Sequence, residues 1–143
     1  MPSIKRHASA AWFGSGKEGS GSLTSQSGTL KDTPYGFNAR FGDGKGTNPE
    51  ELIAAAHAGC FSMATAFQLT GAGHPPASLH TDATLTMEQV PGGWKITAVH
   101  LALKAKVPGI DAGRFQALAE EAKANCPVSK LLNAAITLEA VLE

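Results

Sequence analysis

Residues 48–71 read NPEELIAAAHAGCFSMATAFQLTG. Asn48 is a strong N-cap, Pro49 suits the first helical position, and Glu50 and Glu51 put negative charge in the first turn. Gly71-Ala72-Gly73 stops the pattern, so the spacing predicts a helix over residues 49–70. Residues 52–81 contain no Asp, Glu, Lys or Arg. A helix without a charged face belongs inside a molecule or between subunits. A membrane span is disfavoured, because His57, Ser62, Thr65 and Gln68 interrupt the segment and no basic flank follows. The stretch therefore reads as a long central helix, and the rest of the chain must cover it.

Before it, the chain is rich in Gly, Ser and Thr. Residues 7–13 suit a strand. Ser20–Ser25 and residues 29–30 flank the Ser27-Gly28 turn signal and suggest a hairpin. Pro34-Tyr35-Gly36-Phe37 reads as a turn followed by a short strand, and residues 42–46 as a flexible loop. After it, residues 80–90 alternate polar and apolar, Pro91-Gly92-Gly93 turns the chain, and residues 94–107 return as a second strand. Asp111 caps a helix running to Asn125, with Phe115, Leu118, Ala119 and Ala122 on one stripe. Pro127 opens a short helix, and Ala135–Leu142 alternates as a last strand. No repeat or linker divides residues 1–143, which read as one domain. The class is α+β, an antiparallel sheet wrapped around a long buried helix.

Composition narrows the function. The 143 residues carry 12 basic and 12 acidic side chains, and this neutrality argues against a nucleic-acid partner. Aromatics are 6%, which argues against an aromatic-rich groove. Two cysteines are too few for a disulfide-stapled secreted fold, and no apolar run of signal length follows Lys5 and Arg6. A reducing cytoplasm is the expected location. No metal is expected, because the Cys and His residues lack zinc-ligand spacing. Residues 42–47 lack the Gly-Lys-Ser/Thr ending of a phosphate loop, and no Gly-x-Ser-x-Gly elbow occurs.

Cys60 remains, in the middle of the uncharged helix. At 100° per residue, Ile53, Ala56, His57, Cys60, Met63, Ala64 and Phe67 share a face centred on it. On position alone, a cysteine there reads first as small core filler. To react, its thiol must become a thiolate, and the helix dipole fades too early to help. The cation must come from His57, one turn back, or from an Arg or Lys elsewhere. Cys126, between Asn125 and Pro127, sits at a helix N-terminus, which favours a thiolate on local grounds. Local reasoning leaves the division of labour between the two sulfurs open.

Several motifs in order resemble the OsmC/Ohr family: residues 34–40 (PYGFNAR), 46–52 (GTNPEEL), 55–63 (AAHAGCFSM), 107–111 (VPGID) and 125–129 (NCPVS). The resemblance covers the chain from near Trp12 to the C-terminus and favours the OsmC branch. It implies thiol-dependent peroxidases that reduce organic hydroperoxides, and hydrogen peroxide less well. It implies an intertwined homodimer with two active sites at the interface, no resident cofactor, and recycling by a dithiol of lipoyl type. Matched residue by residue, Cys60 is the peroxidatic cysteine and Cys126 the resolving one. Arg40 is the arginine that holds the thiolate, and Glu51 the glutamate paired with it. Without the resemblance, Arg40 reads as a surface charge and Glu51 as a capping-box residue. Glu51 and Cys60 are roughly 13–14 Å apart along one helix, so Glu51, and with it Arg40, is expected to serve the other subunit's Cys60. In the Ohr branch the arginine lies in an earlier Gly-Arg-Glu/Asp-Gly turn. Here Gly16-Lys17-Glu18-Gly19 stands in that place, which leaves a minor role open for Lys17. Two other classes fit the same cysteines: a dithiol redox sensor or binding protein that oxidises once, and a dimerisation domain with inert thiols.

Overall fold

The computed structural model of the chain describes residues 2–143. The elements are β1 (Ala8–Phe13), β2 (Ser20–Ser25), β3 (Thr33–Tyr35), α1 (Phe37–Phe41), α2 (Pro49–Gly71), β4 (Ser78–Val90), β5 (Gly93–Lys106), α3 (Ala112–Asn125), α4 (Pro127–Leu131) and β6 (Ala135–Leu142). They form two compact units, one ending at Leu52 and one spanning Ile53–Glu143.

In the first unit β1, β2 and β3 form an antiparallel sheet in that order. Trp12 and Tyr35 flank Gly21 on the neighbouring strands, and a Cβ on Gly21 would stand 2.5 Å from both rings. Only glycine lets these aromatics approach across the strand. Residues 29–30 do not form the expected return arm. The Ser25 hydroxyl and backbone hold Leu30 in a turn, and the strand that pairs with β2 is β3. Phe37 does not lead into a strand either. It opens α1, where Phe37 and Phe41 meet one turn apart with ring centroids at 5.0 Å. An extended chain would separate that i,i+4 pair. Among the described residues of this unit, Thr47 alone is buried.

The second unit owns the hydrophobic core. Phe61 and Leu69 of α2, Val99, Leu101, Leu103 and Ala105 of β5, and Phe115, Leu118, Ala119 and Ala122 of α3 pack together. The β5 residues are alternate ones, as the period of a strand requires. Asp111 caps α3 through the Arg114 N–H, and the expected α3 stripe is the buried one. β4 and β5 pair antiparallel, but β5 and β6 run parallel. The strands thus make two three-stranded sheets, one of them mixed, rather than one antiparallel sheet. The reason is the connection: α3 and α4 carry the chain back across the sheet, and a crossover returns the next strand parallel.

α2 also departs from expectation. By length and a mean hydropathy of 1.4 it would pass for a membrane span. Within this chain it buries only one stripe, His57, Phe61, Thr65 and Leu69, each four residues from the last. Met63 and Phe67 are 64% and 72% exposed. The buried face is therefore centred on Phe61, and Cys60 lies at its margin.

Candidate active site

Cys126 joins two helices. Its N–H bonds the Ala122 carbonyl and closes α3, and its carbonyl accepts the Lys130 N–H and opens α4. Pro127 follows at the first helical position, where a missing N–H costs nothing. This Asn-Cys-Pro corner sets the Cys126 Sγ 2.7 Å from the Cys60 Sγ on α2. Both are free thiols. A disulfide bond is about 2.05 Å long, so a shift under about 1 Å would join them. Cys126 is fully buried and Cys60 only partly.

Burial pushes the Cys60 thiol above its ordinary value, and the Cys126 sulfur beside it adds to the shift. The Val128 backbone N–H, at the start of α4, pulls the other way. Val128 escapes sequence reasoning, although its signal was present: a Cys-Pro N-cap leaves the next backbone N–H groups without helical acceptors. His57 is not the cation Cys60 needs. It is wholly buried, its Nε2 lies 2.7 Å from the Ser129 Oγ, and burial lowers its pKa so that it stays neutral.

Arg40 stands in the last turn of α1. Its Nε and Nη2 donate to the two carboxylate oxygens of Glu50 at 2.8 and 2.9 Å. Its partner within the chain is therefore Glu50 rather than Glu51. The Asn48 side chain ties the start of α2 to α1 by donating to the Ala39 carbonyl at 2.8 Å. Successive helical residues point about 100° apart, so only one of the two glutamates can face α1. Glu51 accepts instead from the Thr47 hydroxyl at 2.7 Å. Its N–H donates to Asn48 Oδ1 at 2.8 Å, the first half of a capping box, but Thr47 takes the carboxylate of the second half.

Trp12, Tyr35, Phe37 and Phe41 line a cavity of about 100 Å³ with Arg40 and Pro49. Low overall aromatic content argued against such a groove, but composition does not register clustering. Lys17 stands with its Nζ 5.9 Å from the centre of the Phe37 ring. Among the described residues, no three His, Cys, Asp or Glu side chains gather as metal ligands.

The family described as "OsmC-like protein" matches residues 42–141. The chain is 48% identical over 136 residues to peroxiredoxin OsmC of Escherichia coli (strain K12), covering 95% of each chain. The crystal structure of the organic hydroperoxide resistance protein OhrB of Bacillus subtilis superimposes with a TM-score of 0.67 at 25% identity, covering 96% of this chain and 98% of that one. An OsmC-like protein from Vibrio cholerae shares the fold, with a TM-score of 0.77 at 13% identity, covering 97% and 100%. The matched span runs through both cysteines, the long helix and the Asn-Cys-Pro corner, so sequence, fold and sulfur geometry agree: the chain belongs to the OsmC family.

Proposed function

We propose that this protein is a thiol peroxidase that reduces organic hydroperoxides to alcohols in a reducing cytoplasm. The observation that carries the reading is the pair of free sulfurs 2.7 Å apart, one partly exposed and one sealed. The exposed sulfur is the one a hydroperoxide can reach. Cys60 thiolate attacks the distal oxygen of ROOH, the O–O bond breaks, and the alkoxide leaves and takes a proton as ROH. Cys60 is then a sulfenic acid. The Cys126 thiol attacks that sulfur, water leaves, and a Cys60–Cys126 disulfide remains. An external dithiol of lipoyl type reduces the disulfide by exchange and becomes a disulfide itself. No resident cofactor enters the cycle.

The cation is Arg40 in this reading, by resemblance to the family. Its forked guanidinium can hold a thiolate and a peroxide oxygen together. Glu50 holds that fork within the chain, while the Glu51 carboxylate is taken by Thr47. The assembly is a homodimer. Two features support it: the exposed apolar Met63 and Phe67 on α2, and a first unit whose Trp12, Phe13 and Phe41 remain exposed. Surfaces of this kind mark interaction sites. Peroxide oxidation of the reduced protein tests the chemistry. One equivalent of cumene hydroperoxide should consume both thiols with a loss of about 2 Da in intact mass, and Cys126→Ser should instead gain one oxygen, about 16 Da, on Cys60. Persistence of both thiols in excess peroxide would overturn the reading. Catalytic turnover with excess dithiol separates the peroxidase from a sensor that oxidises once.

A further inference from the structure

α4 is one turn long and buries none of its five residues. Yet it delivers two groups to Cys60: the Cys126 sulfur at its N-cap and the Val128 N–H in its first turn. Such a short helix holds its position poorly by itself. A side-chain hydrogen bond ties it to α2, between His57 Nε2 and Ser129 Oγ at 2.7 Å. Ser129 is the residue after Val128, and His57 lies one turn before Cys60 on the same helix. The bond therefore spans the same two helices as the sulfur contact, one turn away.

The imidazole is an odd occupant of its place. It sits fully buried in the stripe with Phe61 and Leu69, and its Nδ1 has no hydrogen-bond partner among the described residues. A buried polar atom left unpaired calls for an explanation, because an apolar side chain would fill the space without that penalty. The Ser129 bond supplies one.

We infer that His57 and Ser129 are a positioning pair, whose hydrogen bond fixes α4 so that the Val128 N–H and the Cys126 sulfur stay in register with Cys60. The pair touches neither peroxide nor the reacting oxygen. It sets the distance over which the second sulfur closes on the first. Its role in turnover rests on the peroxidase reading, whereas its effect on sulfur geometry does not.

Two measurements on Ser129→Ala, Ser129→Thr and His57→Asn separate these. The first uses no peroxide: each reduced protein is equilibrated in a glutathione redox buffer and the Cys60–Cys126 disulfide is quantified. Ser129→Ala should lower the disulfide equilibrium constant about tenfold, since displacements near 1 Å cost rates and effective concentrations of this order or more. Ser129→Thr, which keeps the hydroxyl, should restore most of it. His57→Asn should match Ser129→Ala, and the double variant should add nothing further, as expected for two halves of one interaction. The second adds one equivalent of cumene hydroperoxide with dimedone present. Wild type should partition to the disulfide, and Ser129→Ala about tenfold further toward dimedone-capped Cys60. A wild-type equilibrium and partition in Ser129→Ala would overturn the inference. So would a Ser129→Thr variant that behaves like Ser129→Ala, or effects of His57→Asn and Ser129→Ala that simply add. If wild type gives neither product with peroxide, the peroxidase reading fails, and the glutathione equilibrium still decides the positioning role.

Discussion

The two units are held together by different forces. In Ile53–Glu143 the hydrophobic effect does the positioning: every buried apolar residue among those described lies there. The two sulfurs sit against that core, with α4 tied to α2 by the His57–Ser129 bond. In the unit ending at Leu52 the positioning is polar. Arg40 is set by a two-pronged bond to Glu50, α2 begins under an Asn48 cap, and Glu51 is tied to Thr47. Hydrogen bonds of this kind contribute about 1 kcal/mol each, and Arg40 is 39% exposed. The proposed nucleophile thus stands on a rigid base, and the charge proposed to activate it stands on an adjustable one.

The largest effect should come from the second unit. Cys60→Ser should lower kcat/KM for cumene hydroperoxide, with dihydrolipoamide as reductant, by at least about 10³-fold, because the nucleophile itself is gone. Activity within about tenfold of wild type would remove the chemistry from that unit. Next comes a stability contrast. Phe115→Ala empties part of the core and should cost about 3–5 kcal/mol in urea unfolding. Phe13→Ala, 71% exposed in β1, should cost under about 0.5 kcal/mol in dilute protein. If a second copy covers β1, the Phe13→Ala penalty should grow with protein concentration. Equal penalties at all concentrations would break the contrast between the units.

The same contrast governs what the sequence disclosed. The α2 start, the α3 cap and stripe, and the Ala135–Leu142 strand were legible, because local rules act there: an Asn-Pro-Glu-Glu start, an Asp cap, a period of two. The parallel course of β6 was not, since alternation marks a strand but not its direction. The turn at Leu30 and the helical Phe37 were misread where a Ser25 hydroxyl and an aromatic pair outweigh residue preference. At the site, both cysteines were picked out by type, and the division of labour proposed for them came from family resemblance. Arg40 and Glu51 came from family resemblance, and the Arg40–Glu50 pairing from the helix phase that sequence alone leaves free. His57 looked like a cation because one-dimensional spacing shows which face a residue shares but not how dry that face is.

Arg40→Lys tests the adjustable side. Lysine keeps the charge and loses the fork, so kcat/KM should fall about tenfold while stability changes by about 0.2–1 kcal/mol, as befits a partly exposed pair. A loss of several kcal/mol would make the first unit as rigid as the second. The smallest effect returns to the dry side. Burial holds the folded His57 pKa below its ordinary 6.5. The unfolded chain therefore takes up a proton near 6.5, and the folded chain only at lower pH. Across that interval the unfolded state binds more protons, so stability falls as pH drops below about 6.5 and is flat above it as far as this group is concerned. Urea midpoints of wild type and His57→Asn at about pH 7.5 and about pH 5.5 isolate the contribution. Wild type should lose more of its midpoint on acidification than the variant does. Identical losses would mean that water or a proton reaches this part of the second unit in the native state. Its interior would then be no drier than the face that carries Arg40.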